Sequence, residues 1–196
     1  MKAFLSIAVL AIVGAAEPTV LEQGDAAPEF TSTDENGKAW KSTDHVGKKI
    51  LVIYFYPADM TGGCTAQACA FRDDMGDLKK LGVEVVGVSG DSPENHRLFK
   101  KAHNLNFTLL ADEQGELAKK FGVPTRPGGT FKTEVAGEEV SLVTGVRAAR
   151  WTFVIGPDGK VVYKNTKVKA ADDSKAVRDV IRKLKRDSSP GTRQGQ

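Results

Sequence analysis

Two cysteines five residues apart, Cys64 and Cys69, are the side chains of this sequence best suited to chemistry. Cys64 follows a turn rich in proline and glycine, and the apolar residues after it recur at steps of four and three, the period of a helix. A thiol in the first turn of a helix meets unpaired backbone N–H groups and the positive end of the helix dipole. Both favour the thiolate, which is the nucleophile, so the pattern indicates thiol chemistry at Cys64.

The structural alternatives for this pair are a buried Cys64 that acts as a small hydrophobe and a Cys64–Cys69 disulfide that staples the fold. Residues five apart on a helix are separated by about 7.5 Å of rise and rotated by about 140°. Their Cα atoms then lie beyond the roughly 7 Å that a disulfide tolerates. The two thiols can therefore join only if the first turns of the helix unwind, which favours a redox switch over a staple.

A metal site is a poor interpretation of the same residues. Two cysteines and three scattered histidines offer no four-ligand set, and we interpret His96 and His103 as structural. No metal or other cofactor is expected. Nucleic-acid binding is also disfavoured, because the formal charge is only +3 and no basic stripe with interleaved aromatic residues is present.

The residues around Cys64 resemble the active-site signature of the peroxiredoxins, Pro-x-x-x-Thr-x-x-Cys, which stands here as Pro57, Thr61 and Cys64. A second cysteine five residues later resembles the Q-type subgroup, also called bacterioferritin comigratory proteins. The likeness extends from about residue 24 to residue 184. It includes three further motifs: GDAAPEF at 24–30, GVSGDS at 87–92 and RWTFVI at 150–155.

This resemblance implies a thiol-dependent peroxidase that reduces hydrogen peroxide and organic hydroperoxides in antioxidant defence. Cys64 would become a sulfenic acid, and Cys69, the only other thiol, would condense with it to a disulfide. Thr61 would offer its hydroxyl to the thiolate or the peroxide, and Pro57 would restrict the loop and shield the sulfur. Arg150 is carried over as the cation that stabilises the thiolate and polarises the peroxide. The implied partner is a thioredoxin-like reductant, and the expected assembly is a monomer or a weak dimer.

Two other classes of protein remain open. A thiol–disulfide oxidoreductase of the same fold would call for C-x-x-C, whereas four residues separate the two cysteines here. A non-enzymatic exported domain with a structural disulfide is the second alternative. Catalytic consumption of hydroperoxide with a thiol reductant distinguishes the peroxidase from both.

The first 16 residues differ in kind from the rest. Lys2 precedes an apolar run to Val13 and a small-residue segment at 14–16, which is the pattern of a secretory signal peptide. The run is shorter than the about 20 residues that span a bilayer, so no membrane segment is expected after cleavage. We expect export to the periplasm or the exterior; the alternative is a buried N-terminal helix or strand. The folded domain would then cover 17–187, and the polar segment 188–196 predicts a flexible tail.

The rest of the chain alternates between strand and helix patterns. This order predicts an α/β protein with a mostly parallel central sheet, right-handed crossovers and flanking helices, and it matches the thioredoxin-like fold that the resemblance implies. Cys64 would lie beyond the C-terminal end of a central strand, where open α/β sheets place their sites. Predicted strands cover 50–56, 83–88, 108–110, 151–155 and 161–163, and predicted helices cover 64–81, 92–103, the region of 117–121 and 173–186.

Two hairpins complete the predicted fold. Asn36-Gly37 is a tight-turn signal that predicts an N-terminal β-hairpin. Segments 131–135 and 139–143 face each other across a short turn and predict an added hairpin, part of an insertion at about 126–148. Because this insertion lies just ahead of Arg150, we expect it to shape the peroxide entrance; the alternative is that it decorates a sheet edge.

Overall fold

The computed structural model describes residues 20–187, so the predicted signal peptide and the predicted tail at 188–196 lie outside the described residues. The strands are β1 (Thr31–Asp34), β2 (Ala39–Lys41), β3 (Ile50–Phe55), β4 (Val83–Ser89), β5 (Thr108–Ala111), β6 (Thr125–Val135), β7 (Glu138–Ala148), β8 (Trp151–Ile155) and β9 (Val161–Asn165). The α-helices are α1 (Gly62–Lys80), α2 (Pro93–His103), α3 (Glu116–Lys120) and α4 (Asp173–Asp187).

Within the described residues, seven strands form one sheet in the order β2-β1-β5-β4-β3-β8-β9. β3, β4 and β5 pair in parallel, whereas the four outer pairings are antiparallel. The expectation of a mostly parallel sheet is therefore wrong in this detail. The crossover helices α1 and α2 enforce the parallel centre, but β1–β2 and β8–β9 are hairpins, and short turns join antiparallel neighbours. The α/β architecture with helices packed on a central sheet agrees with the expected thioredoxin-like fold.

Strand β3 is central because both of its faces are covered. All six of its residues are buried, which explains why its sequence is an unbroken apolar run rather than an alternating one. Val52 and Tyr54 pack into the core layer that contains α1 and α4, and the alternate side chains at 51, 53 and 55 pack into the layer that contains α3. The strand ends at Phe55, so the segment 56–61 leaves the sheet at its carboxyl edge and leads directly into α1.

Helix α1 buries the stripe predicted from the sequence: Cys64, Ala68, Phe71, Met75 and Leu78. It ends at Lys80 with Leu81 as the C-cap residue, and Gly82 follows with φ of 70°, a left-handed conformation that glycine adopts without strain. Helix α4 packs alongside α1. Ser174 Oγ donates to Asp74 Oδ2 at 2.8 Å, and Arg178 forms an ion pair with the same carboxylate. These contacts fix the position of α1 relative to α4.

The predicted added hairpin is present and is longer than the sequence suggested. β6 and β7 have eleven residues each and form a separate two-stranded sheet, with the turn at Ala136 and Gly137. Its base packs closely on the loop after β4: Gly145 N donates to Gly90 O at 2.8 Å, and a Cβ on Gly90 would lie 2.1 Å from Val146 O. The N-terminal hairpin β1–β2 also forms as predicted.

Across residues 20–187, none of the helices combines the length and the apolar character needed to cross a membrane.

Candidate active site

Cys64 lies in the first turn of α1, at the carboxyl edge of the sheet. Thr61 is the N-cap residue with extended backbone angles, and the helix begins at Gly62. The Cys64 side chain is only 1% exposed, and both cysteines are free thiols. The thiol is therefore buried one turn after the segment 56–61 leaves strand β3.

Strand β8 brings Arg150 to the sulfur. Trp151 pairs with Phe55, so the start of β8 lies beside the end of β3 and places the preceding Arg150 over the first turn of α1. Arg150 Nη2 lies 3.2 Å from Cys64 Sγ. A Cβ on Gly63 would stand 3.4 Å from the same nitrogen, an ordinary contact distance, so the guanidinium lies directly against the start of the helix. The guanidinium is therefore positioned to stabilise negative charge that develops during a reaction at the sulfur.

Two residues that the sequence analysis did not single out hold the arginine. Arg150 Nη1 donates to Gln67 Oε1 at 2.5 Å, and Gln67 Nε2 donates to Asp173 Oδ2 at 2.7 Å. Thr152 Oγ1 donates to the same carboxylate oxygen at 2.7 Å. Burial raises the pKa of Asp173, while the hydrogen bonds from Thr152 and Gln67 and the charge of Arg150 oppose the rise. Gln67 could have been found from its position one helical turn after Cys64; Asp173 carries no sequence signal, because it is 106 residues away.

The Thr61 hydroxyl is committed elsewhere in this structure. Its Oγ1 donates to the carbonyl of Ala58 at 3.1 Å, and it makes no side-chain capping bond to the helix. To reach the thiolate or a peroxide, as the sequence analysis expects, the hydroxyl must rotate away from Ala58. Pro57 is half-buried in the same segment, five residues before α1 begins at Gly62.

The segment that carries Pro57 and Thr61 is anchored by the buried carboxylate of Asp59. Tyr56 Oη donates to Asp59 Oδ1 at 2.7 Å, and His96 Nδ1 lies 2.8 Å from Asp59 Oδ2. Burial raises the pKa of Asp59 against the attraction of His96. Burial alone would lower the pKa of His96, but the nearby Asp59 carboxylate raises it overall. The expectation that His96 is structural agrees with this position.

A second carboxylate, Asp91, joins that anchor to the added hairpin. Asp59 N donates to Asp91 Oδ2 at 2.9 Å, and Thr144 Oγ1 of β7 donates to Asp91 Oδ1 at 2.7 Å. Both Asp91 and Thr144 are buried. The hairpin base and the segment before Cys64 are therefore held by one side chain.

Cys69 lies on the same unbroken helix as Cys64 but is half-buried rather than buried. It is rotated away from the apolar stripe, as the helical period predicts. Its neighbour one turn later, Arg72, donates from Nη1 to the carbonyl of His103 at 2.7 Å, so this side of α1 faces the end of α2.

The tip of the added hairpin reaches this part of the molecule. A groove of about 820 Å³ lies between α1, α2 and the hairpin. Its walls include Met60 and Thr65 beside the site, Leu98 of α2, and Val135 and Val140 of the hairpin. Within the described residues, no cluster of three or more His, Cys, Asp or Glu side chains could hold a metal ion.

Fold and site together define a thioredoxin-like protein with a buried helix-N-terminal cysteine beside an arginine. The AhpC/TSA family model matches residues 23–164. The chloroplastic peroxiredoxin Q of Populus jackii is 50% identical over 111 residues, which cover 57% of this chain and 52% of that protein. Peroxiredoxin Bcp of Escherichia coli K12 is 42% identical over 143 residues, 73% of this chain and 84% of that protein.

Solved structures agree with these relatives. The bacterioferritin comigratory protein of Xanthomonas campestris superposes with a TM-score of 0.67 at 30% identity, covering 84% of this chain and 98% of that one. The chain belongs to the AhpC/TSA family and, within it, to the peroxiredoxin Q group. Its matched part spans between 52% and 60% of the length of the first four plant relatives.

Proposed function

We propose that this protein is a thiol-dependent peroxidase that reduces hydrogen peroxide and organic hydroperoxides and so serves antioxidant defence. The observation that carries the proposal is the contact of 3.2 Å between Arg150 Nη2 and the buried Cys64 Sγ in the first turn of α1. Membership of the peroxiredoxin Q group supports it, and the structure from Xanthomonas campestris is described in terms of that protein's alkyl peroxide reduction activity.

In the first step the Cys64 thiolate attacks the terminal oxygen of the hydroperoxide. The S–O bond forms as the O–O bond breaks, Cys64 becomes a sulfenic acid, and the leaving oxygen takes a proton to give water or an alcohol. Arg150 stabilises the thiolate before attack and the charge on the leaving oxygen during it. Thr61, once rotated from Ala58, would orient the peroxide, and Pro57 would keep water from the sulfur.

In the second step the Cys69 thiol attacks the Cys64 sulfenic acid, forming an intramolecular disulfide and releasing water. This step requires α1 to unwind at its start, because an intact helix holds the two Cα atoms too far apart. A thioredoxin-like dithiol then reduces the disulfide by exchange, returning both thiols and becoming oxidised itself.

The added hairpin gives a role to the groove beside the site. We assign the apolar wall formed by Met60, Leu98, Val135 and Val140 to the organic part of a hydroperoxide. Ligand sites of this size are lined mainly by apolar side chains, and the groove begins at the residues that flank Cys64. Hydrogen peroxide has no organic part and would not need it.

The destination of the protein is proposed from residues 1–16. An N-terminal targeting segment is also in keeping with the chloroplastic relatives, and the signal-peptide pattern favours export. Cell fractionation with sequencing of the mature N-terminus tests it: an N-terminus close to residue 17 in the exported fraction is expected, and an uncleaved protein would reject it. The proposed monomer or weak dimer is tested by sedimentation.

The peroxidase proposal is tested by following hydroperoxide loss with purified protein and a thioredoxin system as reductant. Wild-type protein should turn over, whereas Cys64→Ser should lose turnover entirely. Peroxide consumption by Cys64→Ser above the reductant-only control would remove Cys64 from the role of nucleophile. Reduction of insulin disulfides without any peroxidase activity would instead support the thiol–disulfide oxidoreductase.

A further inference from the structure

Asp173, the first residue of α4, ends a chain of hydrogen bonds that starts at the reactive sulfur. Arg150 contacts Cys64 Sγ through Nη2 and Gln67 Oε1 through Nη1, and Gln67 Nε2 donates to Asp173 Oδ2 at 2.7 Å. We propose that Asp173 is a positioning residue of the peroxidase: it fixes the orientation of the Gln67 amide and, through it, the Arg150 guanidinium against the thiolate. The inference rests on the proposed peroxidase function.

The argument depends on which groups can accept a hydrogen bond. An amide has a donor end and an acceptor end, a carboxylate only accepts, and a guanidinium only donates. Asp173 therefore selects the NH₂ end of Gln67 and leaves the carbonyl for Arg150. Without the carboxylate the NH₂ group of the buried amide has no acceptor, and the Gln67 side chain can leave its position to find one, which takes the carbonyl away from Arg150. Arg150 would then lose the contact that holds it beside Cys64.

Burial constrains the orientation of the Gln67 amide. Gln67 and Thr152 are fully buried, and Asp173 is 2% exposed, so bulk water cannot replace a missing partner. Thr152 Oγ1 donates to the same oxygen that receives the Gln67 amide, which holds that oxygen in place. The other oxygen, Asp173 Oδ1, has no hydrogen-bond partner among the described residues. The hydrogen bonds of this carboxylate therefore go to Gln67 and Thr152 rather than to other residues of α4.

The mechanical alternative is that Asp173 only holds α4 against α1. That attachment has its own side chains: Asp74 of α1 accepts from Ser174 at 2.8 Å and pairs with Arg178, both on α4. Asp74 does not contact Gln67 in any of these interactions. Asp74→Asn is therefore a matched control, because it weakens the packing of α4 on α1 and leaves the chain from Asp173 to Cys64 intact.

The experiment uses the full chain in a Cys69→Ser background, so that Cys64 is the only thiol. The variants are Asp173→Ala, Gln67→Ala, the double variant and Asp74→Asn. Two quantities are measured: the rate of Cys64 alkylation by iodoacetamide against pH, and the single-turnover rate of hydrogen peroxide attack. Thermal melting of each variant verifies that it is folded.

Asp173→Ala and Gln67→Ala are each expected to slow peroxide attack by about 10-fold to 100-fold and to move the alkylation midpoint to higher pH, because Arg150 is displaced. The double variant should be no slower than Gln67→Ala alone, since Asp173 acts through the amide. Asp74→Asn should keep the wild-type profile despite a lower melting temperature. An unchanged profile in Asp173→Ala, or full additivity in the double variant, would overturn the proposal.

Two further variants keep the test decisive if Asp173→Ala does not fold. Asp173→Leu fills nearly the same volume without an acceptor and should show the full loss. Asp173→Asn retains an acceptor oxygen for Gln67 and should recover much of the rate; an equal loss in both would overturn amide orientation as the cause. The alkylation profile does not depend on peroxide. If wild-type protein failed to react with peroxide, the proposed function would fall while the positioning of Arg150 would still be measured.

Discussion

His96 and Asp59 form a fully buried pair, in which His96 Nδ1 lies 2.8 Å from Asp59 Oδ2. Asp59 precedes Thr61, the N-cap of the helix that carries Cys64, by two residues. The pair joins α2 to the segment that carries Pro57 and Thr61. Tyr56 Oη donates to the other oxygen of the same carboxylate. Loss of charge at His96 therefore acts on the active-site segment as well as on the stability of the fold.

The first prediction concerns pH. The folded-state pKa of His96 lies above its ordinary value of 6.5, and that of Asp59 is also raised, so both groups favour protonation in the fold. The stabilisation from His96 is then complete below about pH 6.5 and is lost as pH rises through the folded-state pKa. The free energy of unfolding, measured by denaturant titration, should differ between wild type and His96→Gln. This difference should shrink as pH rises from about 6 to about 9.

The control for this prediction is His103→Gln on the same helix. Burial and the charge of Arg72 lower the pKa of His103, so it contributes no stabilisation that disappears with rising pH. A His96→Gln difference that grew with pH would contradict the prediction.

The local sequence around Cys64 was enough to predict the strand, the turn and the helix, because an unbroken apolar run, proline and glycine, and a period of 3.6 each act over a few residues. The antiparallel pairings of β1 with β5 and of β3 with β8 were not predicted, since partners this far apart in sequence are set by packing at long range. The base of the hairpin β6–β7 was not predicted, because Pro127, Gly128 and Gly129 are typical of a loop. In the structure these residues belong to β6, and a Cβ on Gly128 would lie only 1.8 Å from Thr144 O, so the close approach of the two strands requires glycine there.

The candidate site also contains residues that the local sequence identifies and residues that only long-range packing brings together. Cys64, Thr61 and Pro57 share one segment, and Arg150 was placed by resemblance rather than by spacing. Asp173 meets Gln67 only because α4 packs against α1, and no pattern within either helix encodes that contact. Carboxylates such as Asp91 and Asp59 were missed because a buried, fully bonded Asp looks like an ordinary polar residue in a one-dimensional sequence.

The second prediction is that Arg150→Ala slows peroxide attack by about 100-fold to 1,000-fold, the usual loss when one oriented charge donor is removed from a transition state. The alkylation midpoint of Cys64 should rise in the same variant, because the thiolate loses its cation at 3.2 Å. Stopped-flow measurement of the single-turnover rate provides the test. Arg147→Ala, which changes a half-buried arginine three residues earlier, is the control. Equal rates for Arg150→Ala and wild type would make Arg150 a bystander.

The third prediction separates organic hydroperoxides from hydrogen peroxide. Val140→Lys places a charge on the apolar wall of the groove, and kcat/KM for cumene hydroperoxide should fall about 10-fold, since burial of a valine-sized surface contributes about 1.5 kcal/mol. The value for hydrogen peroxide should stay unchanged. Val143→Lys on the same strand is the control, because Val143 is 65% exposed and does not line the groove. A parallel fall for both substrates would reject the groove as a substrate site.

The fourth prediction is a change of structure on oxidation. The described structure has α1 unbroken from Gly62 to Lys80, with Cys64 buried and Cys69 half-buried as free thiols. One equivalent of peroxide should convert these thiols into an intramolecular disulfide, which an intact helix cannot accommodate.

Oxidation should therefore accelerate amide hydrogen exchange over about residues 64–71 and leave the second half of α1 protected. Gly63, which has no Cβ, lowers the steric barrier to rearranging the start of the helix. The unwinding also pulls Gln67 away from Arg150 and Asp173, so the Arg150 contact with the sulfur should be lost in the same step. Exchange is compared between the reduced and oxidised protein by mass spectrometry, with the disulfide confirmed by peptide mapping and Cys69→Ser as the variant that cannot close it. Identical protection in both redox states, with the disulfide present, would show that the two cysteines join without unwinding the helix.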